Sequence, residues 1–186
     1  RIALSWVSGY FIFQLFNPVL FATEGAKVAG QMGMTLQALN AIQAFSMSWM
    51  NTKVPAYSSM IALKEYDKLD GLFNKTLLQM SSICLCMLVT MFGFVELLRL
   101  TQFKVGSTII AERFLDNWPM FFMMIPVMAN MFVFSWATYL RCHKKEPFLA
   151  QAVVTGALCC ASTMGFGRLY GVYGVTVGYV CLTVGI

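Results

Sequence analysis

The amino-acid sequence predicts an all-α fold, a polytopic transmembrane bundle of about six helices. Of the 186 residues, 59% are hydrophobic and only 11% are charged, whereas soluble domains carry roughly 25% charged residues. All 21 formal charges (13 Lys and Arg, 8 Asp and Glu) lie outside six apolar stretches. About 20 apolar residues, rising ~1.5 Å each, cross a hydrocarbon core ~30 Å thick. The predicted spans are about 2–23, 28–50, 76–98 (charge-free as far as Val95), 118–140, 148–166 and 169–186.

Helix is favoured over a membrane barrel for two reasons. A helix satisfies every backbone N–H and C=O without water or a neighbouring strand. Barrel strands alternate polar and apolar residues over ~10 positions, and windows such as 121–134 do not alternate.

Prolines interrupt the first and the fourth spans. Pro18 follows Asn17, and because proline removes a helical hydrogen bond and clashes with the preceding turn, the helix is expected to bend or end there. Pro119 stands near the start of the fourth span, where proline is tolerated, and Pro126 stands inside it, where a kink is expected. Broken spans are frequent near transporter binding sites, but kinks packed by neighbouring helices explain these prolines equally well.

The connection 53–75 has a different composition. Drawn as a helix from Met60 onward, it is amphipathic and suits the cytoplasmic interface of a membrane. It could act as a lever between helices, contact lipid head groups, or be a solvated helical turn, the last being favoured. Its apolar side carries Leu63, Tyr66, Leu69 and Phe73, and its polar side carries Lys64, Asp67, Lys68 and Gly71.

Glycines mark the last two spans. Gly171, Gly174 and Gly178 share one helix face, and this spacing allows close backbone approach in a membrane bundle. Packing is the expected role, because a dinucleotide motif would need a preceding strand and a following acidic residue.

The charge distribution predicts an orientation. With Arg1 inside, the cytoplasmic connections hold eight Lys and Arg residues and the other side holds five, which follows the positive-inside rule. A multi-pass membrane protein is expected. The net charge of +5 is spread over several connections, so no nucleic-acid partner is expected.

Few residues could carry catalysis. His143 stands alone in a basic loop, and the chain lacks HExxH, GxSxG and Walker motifs. We therefore expect no enzymatic activity, no metal and no cofactor. The cysteines match no zinc or redox spacing and are expected to be inert thiols. They are Cys84, Cys86, Cys142, Cys159, Cys160 and Cys181.

Span two is the most informative segment for function. At 100° per residue one side is polar or small, while Ile42, Phe45 and Trp49 fall opposite. Amides are costly in hydrocarbon without partners, so the polar side is expected to face protein, where it joins helices, or a hydrated path for a polar substrate. The candidate cavity residues are Gln37, Asn40, Ser48 and Asn51, with Gln14 and Asn17 from span one.

Two pairs of oppositely charged residues lie at the ends of predicted spans. Glu24 and Lys27 lie at the predicted non-cytoplasmic mouth, where a salt-bridged turn is the default expectation. Glu96 and Arg99, at the end of span three, are treated in the same way.

Several runs of the sequence look familiar: 17–21 (NPVLF), 29–36 (AGQMGMTL), 48–55 (SWMNTKVP), 61–67 (IALKEYD), 137–148 (ATYLRCHKKEPF) and 167–171 (GRLYG). Together they resemble the bacterial polysaccharide-biosynthesis flippases, the exporters of O-antigen type in the superfamily of the MATE transporters and the peptidoglycan lipid flippase. The resemblance covers most of the chain and rests on loop positions. The location that it implies is the bacterial cytoplasmic (inner) membrane.

The resemblance implies a two-lobed transporter of 12 to 14 helices. This chain would be most of the second lobe, and the missing N-terminal lobe of the same protein would be its partner. The implied substrate is an undecaprenyl-pyrophosphate-linked oligosaccharide that crosses the bilayer. In such relatives the first two helices of each lobe border the central cavity, which would place Gln14, Asn17, Gln37 and Asn40 near substrate.

Two other functions stay open. A cation-coupled multidrug antiporter of the same architecture usually needs an intramembrane carboxylate, and the six apolar stretches contain none. A non-transporting membrane scaffold is the third hypothesis.

Overall fold

The computed structural model describes residues 15–102, 104–105, 108–143 and 148–185, with side chains except at 104–105, 108 and 148–152. The described chain is helical apart from one short hairpin. The elements are α1 (Phe16–Glu24), α2 (Ala26–Asn51), α3 (Val54–Ala62), α4 (Tyr66–Thr101), β1 (Lys104–Val105), β2 (Thr108–Ile109), a 3₁₀ turn (Ile110–Arg113), α5 (Asn117–Cys142) and α6 (Phe148–Gly185).

Two of the helices, α4 and α5, are long and apolar enough to cross a membrane. In α4 only 17% of the most apolar 18-residue window is buried within the chain. Its exposed side chains include Leu78, Leu85, Val89 and Leu97. A helix that is both apolar and largely uncovered suits a lipid environment better than a soluble core. The described helices confirm the all-α prediction, and the number of membrane spans stays a prediction.

Gly25 separates α1 from α2. Its φ is +90° and its N–H donates to the Leu20 carbonyl at 3.2 Å, a left-handed conformation that glycine adopts without steric cost. The described part of α1 begins at Phe16, so Pro18 lies in the first described turn of this helix.

The amphipathic helix expected from Met60 onward is wrong, because α3 ends at Ala62. Lys64 takes the left-handed φ of +60°. The N–H groups of Glu65 and Lys64 then donate to the carbonyls of Met60 and Ile61, which is the Schellman arrangement that closes a helix.

The residues expected on the apolar side of that helix are consequently divided. Leu63 and Tyr66 are exposed, whereas Leu69 and Phe73 are buried in the first turns of α4. The polar residues of the segment, Lys64, Asp67, Lys68 and Gly71, are all exposed. Since α4 runs without interruption from Tyr66 to Thr101, residues 66–75 are part of a long helix and not of a separate interfacial one.

Helix α6 is a hairpin with its turn at Gly171, whose φ of +56° and ψ of −133° are not helical. A Cβ built on Gly178 would lie 2.4 Å from the Ser162 Oγ, and one on Gly174 would lie 2.2 Å from the Phe166 carbonyl oxygen. In a straight helix, residues 16 apart would be separated by ~24 Å. The arms 148–170 and 172–185 therefore run antiparallel, and the expected close backbone approach at these glycines is confirmed.

The segments that connect the helices meet at two ends of the bundle. At the Glu24 end, defined by residues 24–27, 110–116 and 171–172, Lys27 pairs with Glu112 and Glu24 binds Val172. The Lys53 end is defined by Lys53, α3 and residues 63–75 and 136–143. There the ring centroid of Phe73 lies 6.3 Å from that of Tyr57 and 4.6 Å from that of Tyr139. The long helices therefore run alternately up and down.

We predict that Gly174→Ala lowers the free energy of unfolding by about 1–3 kcal/mol, because the new Cβ must push the two arms of α6 apart. Thermal unfolding of the purified protein in detergent measures this. Gly165→Ala in the other arm of α6 is the control, since nothing lies within 4 Å of its Cβ, and it should be neutral or stabilising by about 0.5–1 kcal/mol. Equal melting temperatures for both variants would contradict the hairpin.

Candidate functional site

The rotation of α2 about its axis decides where its polar side points. One side is buried and apolar, with Met32, Leu39 and Met50 at most 1% exposed. The opposite side is exposed and carries small or polar residues. This polar strip consists of Gly30, Gly33, Gln37, Asn40, Ala41, Ala44, Ser48 and Asn51, of which Gly33 and Asn40 are half-buried and the others exposed.

The polar strip differs from the exposed side of α4. In α2 the outward positions between Gln37 and Ala44 hold no large aliphatic side chain, whereas α4 turns leucine, valine and phenylalanine outward along most of its length. Ser48 satisfies its hydroxyl by donating to the Phe45 carbonyl at 2.6 Å. The amides of Gln37 and Asn51 are exposed and could bind an external polar group.

Asn17 joins the strip from α1. A Cβ built on Gly33 would lie 3.5 Å from the Asn17 Nδ2 and 3.6 Å from its Oδ1. Its Oδ1 is buried and finds no hydrogen-bond partner among the described residues. The structure thus brings Asn17 beside the α2 residues predicted with it, while Gln14 lies outside the described residues.

The expected salt bridge between Glu24 and Lys27 is wrong, because each side chain has a distant partner. The Glu24 Oε1 accepts the Val172 N–H at 2.9 Å, where the second arm of α6 begins and the helix dipole favours an anion. The Lys27 Nζ instead lies 3.1 Å from the Glu112 Oε2, and the nearby Gln31 amide donates to the Glu112 carbonyl at 2.8 Å. These contacts connect α1 with α6, and α2 with the 3₁₀ turn, at the Glu24 end.

Glu96 and Arg99 do form the expected pair, with 3.8 Å between the Glu96 Oε1 and the Arg99 Nη1. Arg99 also donates to the Leu115 carbonyl at 2.6 Å, and the Leu115 N–H donates to the buried Thr35 hydroxyl at 3.1 Å. Since α4 extends to Thr101, Glu96 is a carboxylate within a helix able to span a membrane. Its Oε1 is buried and accepts no hydrogen bond from the described residues.

The sequence analysis missed the environment of three aromatic residues. Phe45 and Trp49 were expected on the side of α2 away from the polar residues, and on that side they are exposed, while Ile42 is buried. The Trp49 Nε1 donates to the Gln79 Oε1 of α4 at 3.2 Å. Tyr179, likewise missed, accepts a hydrogen bond from the Asn130 amide at 2.9 Å. No local pattern indicates either pair, because the partners lie 30 and 49 residues apart.

Metal chemistry finds no support in the described part of the chain, which has no group of three or more His, Cys, Asp or Glu residues able to hold an ion. The six cysteines are free thiols. The polar strip offers amides and hydroxyls, which can form hydrogen bonds with a polar ligand.

No protein-family model, curated protein or solved structure matches the chain.

We predict that Glu24→Ala lowers the free energy of unfolding by about 1 kcal/mol, because the Val172 N–H loses a charged acceptor. Glu24→Gln keeps an acceptor oxygen and should recover part of the loss. Lys27→Met is the matched control from the same turn, and because its ion pair is exposed the change should stay within about 0.5 kcal/mol. Thermal unfolding in detergent compares the three, and a larger loss for Lys27→Met than for Glu24→Ala would refute this assignment.

Proposed function

We propose that the chain is a membrane-embedded lobe of a transporter that flips a lipid-linked oligosaccharide across the bacterial cytoplasmic membrane. The observation that carries the proposal is that the outward positions of α2 between Gln37 and Ala44 hold only small or polar residues, whereas α4 turns Leu78, Leu85, Val89 and Leu97 outward. The α4 side fits lipid. The α2 side fits a hydrated cavity between two lobes.

The arrangement of the connections supports a multi-pass protein. Residues 24–27, 110–116 and 171–172 meet at one end, and α3 meets the ends of α4 and α5 at the other. This grouping is what helices that cross a bilayer in alternating directions would give, including the two arms of α6. The Lys53 end carries more Lys and Arg, which favours a cytoplasmic location for it.

The mechanism follows from solvation. A sugar head group with many hydroxyls and a pyrophosphate cannot enter hydrocarbon, since each polar group without a partner costs several kcal/mol there. The amides of Gln37, Asn40 and Asn17 would replace water around the head group, while the lipid tail stays in the bilayer. Rocking of the two lobes would then expose the cavity to one side and the other in turn.

A cation-coupled antiporter is the second candidate, and Glu96 is the observation that favours it. This carboxylate lies in a candidate span with its Oε1 buried. However, Arg99 pairs with it at 3.8 Å. The flippase is therefore preferred, and drug-resistance assays with Glu96→Gln separate the two functions. A scaffold without transport activity would show neither phenotype.

We predict that replacing Gln37 and Asn40 together by Leu abolishes export of surface polysaccharide without loss of protein, because the cavity loses its hydrogen-bonding groups. Surface polysaccharide and membrane protein level are measured in the bacterium that makes the protein. Cys86→Leu is the control, since Cys86 is an exposed polar position on the lipid-facing side of α4. Normal export by the double variant would refute the cavity role.

We also predict that a single cysteine at position 37, in a protein whose six native cysteines are replaced by Ala, reacts with a water-soluble maleimide in intact membranes. A hydrated cavity delivers the reagent, whereas lipid excludes it. A cysteine in place of Leu85, which is exposed on α4, should remain unlabelled. If position 37 is as unreactive as position 85, no water reaches the strip.

A further inference from the structure

Two successive residues of α1, Phe16 and Asn17, face different helices. Phe16 is fully buried, and its ring meets the ring of Tyr179 in the second arm of α6, with centroids 5.3 Å apart and an angle of 67° between the rings. The amide of Asn17 lies on the α2 side, where its atoms are 3.5–3.9 Å from a Cβ built on Gly33. Successive residues of a helix point about 100° apart. The ring contact and the amide are therefore on different sides of the same turn.

Tyr179 joins three helices. Its side chain is buried, with 5% of the residue exposed. Its hydroxyl accepts a hydrogen bond from the Asn130 amide of α5 at 2.9 Å. Its ring packs on Phe16 of α1 in the edge-to-face arrangement that aromatic pairs favour. The location of Phe16 is thus tied to both α5 and α6.

The α6 hairpin contacts α1 along the described length of that helix. One turn after Phe16, the Val19 Cγ1 would lie 2.9 Å from a Cβ built on Gly167, so α1 packs closely on the first arm. At the last residue of α1, the Glu24 Oε1 accepts the Val172 N–H at 2.9 Å. Together with the ring pair, these contacts fix α1 to the hairpin.

We propose that Tyr179 is a positioning residue of the candidate cavity, which holds Phe16 in place and thereby keeps the Asn17 amide beside Gly33. This inference rests on the proposed function, because the cavity is where Asn17 would meet substrate. The Asn17 Oδ1 is buried and accepts no hydrogen bond from the described residues. It can accept one from a ligand hydroxyl only where α1 presents it correctly. Tyr179 acts through Phe16 and does not itself contact substrate.

Disulfide cross-linking measures the position of Asn17 directly. Asn17→Cys and Gly33→Cys are combined in the full-length protein whose six native cysteines are replaced by Ala, and the rate of disulfide formation under an oxidant is followed in membranes. Tyr179→Leu removes the ring and should slow the cross-link about fivefold, because a disulfide needs its two Cβ atoms about 3.5–4.5 Å apart. Tyr179→Phe keeps the ring contact and should stay within about twofold of the parent rate.

Two further variants separate positioning from a general loss of stability. Phe16→Leu removes the other ring of the pair and should slow the cross-link as Tyr179→Leu does, so the test stands even where one of the two variants fails to fold. Tyr57→Leu is the matched control, because Tyr57 is also fully buried and meets Phe73 at 6.3 Å and 64°, but at the Lys53 end. It should leave the rate unchanged. An unchanged rate in Tyr179→Leu and Phe16→Leu, or an equal slowing in Tyr57→Leu, would overturn the positioning role.

Export connects this geometry to function. With Asn17 and Gly33 restored, Tyr179→Leu should lower export of surface polysaccharide about tenfold at equal protein level, since a displacement of about 1 Å in a binding group is costly. Tyr57→Leu at equal protein level should export normally.

Failure of the positioning role and failure of the proposed function are distinguishable. If Gln37 and Asn40 prove essential for export while Tyr179→Leu changes neither the cross-link nor export, the flippase stands and the positioning role is wrong. If Tyr179→Leu slows the cross-link but export depends on none of these three residues, Tyr179 does set the position of α1 and the proposed function is wrong.

Discussion

The burial of one side of α2 is the constraint on which the candidate site depends. Met32, Leu39 and Met50 are fully covered by neighbouring helices, against which they pack by van der Waals contact. These residues lie nearly opposite Gln37 on the helix. A rotation of α2 that buried the amides would therefore turn these large apolar side chains out of the core. The polar strip is thus directed outward by packing on the far side of its own helix.

The two ends of the bundle are held by different chemistry. At the Glu24 end the contacts are polar and reach across long stretches of sequence, as in Glu24 with Val172 and Lys27 with Glu112. At the Lys53 end they are mostly aromatic, with Tyr57, Phe73 and Tyr139 in ring contact and the Tyr139 hydroxyl donating to Asp70 at 2.5 Å. The ring cluster connects α3, α4 and α5 directly beside the end of α2 that carries Trp49.

Much of the fold could be predicted from the sequence, because charges and glycines mark where helices stop. The predicted spans 28–50 and 118–140 differ by only one or two residues from Ala26–Asn51 and Asn117–Cys142. The turn at Gly171 fell close to the predicted boundary near 167–169. The break after Ala62 was not predictable in this way, because the left-handed position is taken by Lys64 and not by the usual glycine or asparagine.

The candidate site was predictable only in part. Helical periodicity placed Gln37, Ser48 and Asn51 on one side of α2, and the structure leaves that side exposed. Helical periodicity considers one helix at a time, however, and does not predict which side chains a neighbouring helix covers. It therefore did not predict that Phe45 and Trp49 are exposed while Ile42 is buried. The partners of Glu24 and Lys27 were missed for the same reason, since they lie 148 and 85 residues away.

The hydrogen bond between Leu115 and Thr35 has a consequence for biosynthesis. The Thr35 hydroxyl is buried in the finished protein, and the N–H that it accepts is 80 residues further along the chain. At roughly 5–20 residues per second, the ribosome needs about 4–16 s to supply that donor. During this interval α2 has an incomplete set of neighbours, and the Thr35 hydroxyl lacks the partner that it has in the finished protein.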